Sequence, residues 1–198
     1  MKHLVLCIVA ILIMTACGSK TDKALNSSDT DVVNVDDGKH NEAYIKQRID
    51  SIYSHFGYHP FDINALVEDA YNITYDSLYC TDSYQTLKAQ ADQISEETGY
   101  IWIDADHWIA GQDISEDWSY SIKKVDIVTD STATVELNVH NFDDQKVILD
   151  LLFQRGDWYV DNFHFFYTDD EGKVNEIDEK EQARTFINEE KAKLGKTK

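Results

Sequence analysis

The side chains of this 198-residue chain best able to do chemistry are crowded into residues 100–113, Tyr-Ile-Trp-Ile-Asp-Ala-Asp-His-Trp-Ile-Ala-Gly-Gln-Asp. Asp104, Asp106 and Asp113 put carboxylates at intervals along one loop, which is how oxygen-ligated calcium sites are built. Gln112 adds an amide and Trp108 an indole, so the segment is equally a candidate ligand-binding loop. The calcium pattern is incomplete: Trp108 and Ile109 stand where a third oxygen ligand and the turn glycine belong, and no glutamate closes the loop. The favoured reading has Asp104 or Asp106 capping a short helix while Trp108 and Ile109 plug the core. No metal and no catalytic residue are assigned on this pattern.

Histidine is the next candidate. His55 and His59 stand four apart, a spacing that aligns two imidazoles on a helix, but Gly57 and Pro60 oppose helical geometry there. His107, His140 and His164 fall on different elements, and an aspartate meeting one of them in space would make an acid–base pair. Cys80, after Leu78-Tyr79, reads as a small packed hydrophobe rather than a nucleophile. There is no glycine-rich phosphate loop, nucleophile elbow, zinc-type cysteine cluster or paired-glutamate motif, and no cofactor is expected. Trp102, Trp108, Trp118, Trp158 and the aromatic run from Phe163 to Tyr167 fill a core or, around a pocket, take a hydrophobic or sugar-like ligand.

The elements that must position these residues follow from periodicity. Behind the N-cap candidate Asn41, apolar residues recur at helical spacing from Tyr44 to Phe56, which predicts a helix ending near Gly57. Asp62 begins a second, carrying Leu66, Val67, Ala70 and Tyr71, interrupted at residues 72–74 and continued by Tyr75, Leu78 and Tyr79. Tyr84, Leu87, Ala91 and Ile94 predict a third over 83–97, stopped by Gly99. Beyond Gly99 the period becomes two. Residues 131–140, 145–154 and 158–166 read as strands after a less regular one at Ile122–Val128, joined by Asn141-Phe142-Asp143-Asp144 and Arg155-Gly156-Asp157. Residues 178–194 form a charged helical tail with Ala183, Phe186 and Ile187. The expected class is α+β: N-terminal helices on one face of a curved antiparallel sheet of about four strands, one domain over 41–198.

The first residues carry an address. Lys2 and His3 precede an apolar run, Leu4 to Met14, too short to cross a bilayer but of signal-peptide length. Met14-Thr15-Ala16-Cys17 then sets small residues before a cysteine, so residues 1–16 are expected to be removed and Cys17 to carry lipid. Residues 17–40 are polar and aperiodic, a tether to the membrane. Gly18 after the lipidated cysteine favours the outer membrane. With a formal net charge of −19, the chain is unsuited to nucleic acid or anionic lipid headgroups, which are held by basic patches. Its excess of acid is the mark of a solvated envelope protein.

Three segments together resemble a known family: Tyr75-Asp-Ser-Leu-Tyr-Cys-Thr81 with Tyr84 and Leu87, the block from Asp104 to Asp113, and Arg155-Gly-Asp-Trp-Tyr-Val-Asp-Asn-Phe163. Over residues 42–165 the chain is similar to the Bacteroidales lipoproteins that carry domain of unknown function 3828. That resemblance implies an α+β domain akin to the nuclear transport factor two-like or cystatin-like folds, with helices against a curved sheet and room for a pocket. It supplies no catalytic residues, and such folds host many activities. The expected function is a non-enzymatic envelope module binding a protein, peptide or small ligand. The alternatives are a hydrolase- or isomerase-like enzyme using an Asp/His pair, and an inhibitor or immunity-type protein.

Overall fold

The computed structural model describes residues 38–54, 74–169 and 171–196. The expected signal, Cys17, most of the tether, His55, His59 and the stretch from Asp62 to Tyr71 lie outside the described residues.

Helix α1 (Glu42–Tyr53) starts where its cap dictates: the Asn41 side chain accepts from the Tyr44 amide at 2.9 Å. Its apolar stripe, Ile45, Ile49, Ile52 and Tyr53, is fully buried. Helix α2 (Tyr75–Tyr79) has its own cap, Thr74, and is a single turn, while α3 (Asp82–Thr98) runs from the Thr81 cap to Gly99 in the left-handed conformation. Glycine relieves the crowding that a Cβ meets at that φ, and so ends the helix.

Five strands follow: β1 (Ser119–Thr129), β2 (Thr132–Asn141), β3 (Asp143–Gln154), β4 (Asp157–Thr168) and β5 (Val174–Asp178), antiparallel throughout and in chain order across the sheet. The α+β class and the antiparallel sheet are as the periodicity indicates. To the four or so strands expected, β5 adds a fifth. Only Val174 and Ile177 are apolar in β5, at a spacing that is not a strand's, and it is extended because β4 continues to Thr168 and offers it a backbone to pair with. Helix α4 (Glu179–Lys196) follows without a loop and buries Ala183 and Ile187.

Strict alternation sends Ala133, Val135, Leu137 and Val139 of β2, and Val147, Leu149 and Leu151 of β3, to one buried face. In β4 the phase changes at a bulge, where Asp161 is an extra residue between the Val160–Leu151 and Asn162–Asp150 pairs. Trp158 and Val160 point inward before it, and Phe163 and Phe165 after it. Asp161 is turned toward the helices, where it accepts from the Thr81 and Ser83 hydroxyls and pairs with Lys180 at 2.7 Å. The Val160 carbonyl is taken by the Thr81 amide, so the bulge fastens the α2–α3 junction to the sheet. At the other end of β4, Arg155 and Gly156 both have positive φ, the two-residue turn whose twist suits a hairpin. The end of the expected tether is also engaged. The Trp158 indole donates to the Lys39 carbonyl, and the His40 ring stands 4.2 Å from that of Phe153.

Candidate functional site

The 100–118 segment connects α3 to β1 and crosses one end of the sheet. Asp106 and Gly111 exchange backbone hydrogen bonds, and Ala110 turns the chain with φ of 54°. Asp106 also accepts from the Trp108 amide at 2.8 Å. This is a tight turn rather than the short helix expected here, because the Asp106–Gly111 bridge closes the chain on itself within six residues. Trp108 and Ile109 are buried in the main core, against Tyr53, Tyr75 and Phe163.

The candidate loop residues separate. Asp104 accepts from the Gln112 amide at 2.7 Å; Asp106 caps the turn, and Trp108 points inward. Asp113 is exposed and offers its carbonyl, not its carboxylate, to the Asn141 side chain. Among the described residues no group of histidine, cysteine and acidic side chains is arranged to hold a metal ion.

The loop is pegged from below by Asn141, at the end of β2. Its amide nitrogen donates to the Ile109 and Asp113 carbonyls at 2.9 and 2.8 Å, and its oxygen accepts from the Ser115 amide at 2.8 Å. Gly111 leaves room for that peg: a Cβ there would stand 2.6 Å from the Asn141 nitrogen. Gly111→Ala is expected to destabilise the protein by about 1–3 kcal/mol, as overpacking does, and chemical denaturation will read it.

The residue that sequence spacing does not single out is His107. It is 6 % exposed and has acid on both sides. Nε2 donates to Asp76 Oδ1 at 2.8 Å, while Nδ1 stands 3.2 Å from Glu179 Oε1 and 3.3 Å from the Tyr84 hydroxyl. Glu179, the first residue of α4, is fully buried, and its contact with the ring is an ion pair without an aligned hydrogen bond. The Trp108 indole donates to the same Asp76 oxygen, and Lys88 lies 3.9 Å from the other. Burial alone would lower the His107 pKa, but Glu179 and Asp76 outweigh it and push it up to about 10. Burial alone would raise that of Asp76, yet hydrogen bonds from His107 and Trp108 leave it below its usual value. Burial also raises the Tyr84 hydroxyl far above its ordinary range.

Raised well above neutrality by its two carboxylate neighbours, the His107 imidazole is poorly matched to general acid or base work, which is best done by a group with a pKa close to the operating pH. The Asp/His pair anticipated for an enzyme is therefore present as Asp76 and His107, but both ring nitrogens are occupied. His140 lies between Asp144 and Asp117, and His164 between Asp150 and Glu176, each using both nitrogens in the same manner. Burial pushes the Cys80 thiol up as well, which removes it as a nucleophile.

Beside His107 a cleft of about 620 Å³ opens between the loop and the end of the sheet. Ile101, Trp102 and Ile103 form one wall and Phe165, Tyr167 and Ile177 the other, with His107, Asp104, Gln145 and Gln182 as polar points. Trp102 is rigidly set: its indole donates to Asp92 of α3, and its carbonyl accepts from Gln182 of α4. The rim is apolar and wet, with Ile101 71 % and Tyr167 51 % exposed. Side chains of this kind around a few fixed polar groups are what small-ligand and side-chain pockets are made of.

No protein-family model, curated protein or solved structure matches the chain. The class is therefore stated by the architecture: an α+β domain with an apolar cleft between its sheet and the segment that leads into it.

Proposed function

We propose that the protein is a lipid-anchored binding module of the cell envelope, without catalysis of its own, that takes an apolar group of a small ligand or partner protein into the cleft. The observation that carries this reading is the pairing of an apolar hollow and exposed apolar rim with a histidine whose nitrogens are both engaged. The cleft offers area and shape complementarity, and the charge beneath it is already balanced by protein groups.

The chain without residues 1–17 is expected to bind the neutral dye N-phenyl-1-naphthylamine with enhanced emission and saturation near one equivalent. Ala105→Trp fills the cleft from its exposed side and should weaken that binding about tenfold or more, the cost of losing a buried contact area. An unaltered emission spectrum, or equal binding by the Ala105→Trp protein, refutes the cleft as the site.

The anchor rests on residues 14–17 and is checked separately. Cells fed radiolabelled palmitate should incorporate it into the protein at Cys17, and Cys17→Ser should abolish the label while releasing the domain from the membrane fraction. Retention of label in the Cys17→Ser protein would remove the lipid assignment.

A further inference from the structure

β5 is an edge strand, paired with β4 and, among the described residues, with no other strand. The opposite edge, β1, carries Lys123 and Lys124 and two irregularities, devices that discourage a further strand. β5 has no lysine and bears Glu176 and Asp178 instead. Two hollows flank it: the 620 Å³ cleft, and a second of about 580 Å³ between β5, α4 and Ile101-Trp102, sharing Ile177 and Gln182 as walls. The Gln182 side-chain oxygen at this shared wall is buried and accepts no hydrogen bond among the described residues.

The charge of this region is one-sided. Glu176, Asp178, Glu181 and Glu189 line the second hollow and Asp104 the first, and among the described residues no lysine or arginine lines either. Of the cations nearby, Lys193, over the Tyr100 ring, pairs with Glu190, Arg184 stands 3.7 Å from Glu181, and His164 is bonded to Glu176, while Lys173, exposed just before β5, is a single positive charge against these five carboxylates. His107, in the cleft wall, lies between Asp76 and Glu179.

Resting on the reading that the cleft takes apolar groups, we propose that β5 is a docking strand for an extended, cationic peptide segment of a partner protein. The peptide backbone pairs along Val174–Asp178, about 17 Å at strand rise. Its alternate apolar side chains enter the cleft beside Ile177, and the intervening lysines or arginines meet the carboxylates that line the second hollow. Strand addition of this kind draws affinity from main-chain hydrogen bonds and specificity from alternate side chains. A second copy of this chain is a poor occupant, since it would bring its own net charge of −19 and set like charges across the new pair.

The test uses the full chain in phosphatidylcholine nanodiscs and two fluorescein-labelled octapeptides, one alternating valine with lysine and one alternating valine with threonine. Anisotropy should show the lysine peptide binding about tenfold more tightly at low salt, as a few exposed ion pairs allow, with the advantage fading as salt screens it. Glu181→Gln together with Glu189→Gln should remove most of that advantage. Methylating every second backbone nitrogen should abolish binding in one register and leave it in the other. Equal affinities overturn the cationic assignment while leaving the apolar cleft standing, and tolerance of methylation in both registers overturns strand pairing. If neither peptide binds although the neutral dye still does, the docking strand alone is refuted; if the dye fails too, the cleft reading falls with it.

Discussion

His107→Ala is expected to cost about 3–5 kcal/mol of stability, the loss seen when one member of a buried charged set is removed and the others stay behind. Asp76 and Glu179 would then face each other across a cavity lined by Tyr84, Trp108 and Phe163. The same substitution combined with Asp76→Asn and Glu179→Gln should recover a large part of the loss, because the remaining groups are neutral. Urea denaturation of the two proteins measures the difference. The imidazole also predicts a pH dependence with a definite sign. Its pKa rises from an ordinary 6.5 to about 10 on folding, so its contribution is complete below about pH 6.5, shrinks above it, and is gone beyond about pH 10. His164, pushed up to about 9 mainly by its hydrogen bond to Asp150, acts in the same direction. The natural protein should lose stability over that alkaline interval and the triple variant less, keeping only the part due to His164. A natural protein whose urea midpoint stays constant up to pH 10 would show that His107 is not charged.

The second large effect is expected at Asn141. Asn141→Ala withdraws one acceptor and two donated hydrogen bonds from the Ile109 and Asp113 carbonyls and the Ser115 amide, all beneath the loop. A buried backbone group left unsatisfied costs about 1–3 kcal/mol, so three of them should cost about 3 kcal/mol or more where water does not enter. Hydrogen exchange should locate the damage, with the Ser115 amide exchanging much faster and β3 little changed. Dye binding in the cleft should fall in parallel, since the loop is one of its walls. If Ser115 remains as protected as before, the peg is not what holds the loop.

Much of this architecture can be read from local signals. Asn41 and Gly99 mark helix ends because a side-chain cap and a left-handed φ are properties of single residues. β2 and β3 are legible because one of their faces is buried along its length, and alternation then repeats without a break. β5 is not legible, because its extended form is imposed by a neighbouring backbone. The partners of His107 are equally hidden. Asp76 and Glu179 sit in the first turns of helices, where acids are common on exposed surfaces, and nothing adjacent to Glu179 in Asp-Glu-Lys-Glu marks it as fully buried. Asn141 looks like a turn residue and does end a strand, yet its side chain spends its hydrogen bonds on a loop about thirty residues upstream. Residues that act over long chain separations leave little trace in spacing.

The order of the strands in space is their order in the chain, which gives this protein a direction of assembly. A polypeptide emerging N-terminus first can close each hairpin as it appears, since every new strand docks on the one just made. Glu179 comes after all five strands, so the buried charge of His107 waits for its second counter-charge until almost the whole domain has been delivered. A chain cut before β5 would still hold four paired strands while leaving His107 and Tyr84 without Glu179 and Trp102 without Ala183 and Ile187. The last helix thus completes the charge balance of a core whose sheet is already laid down in chain order.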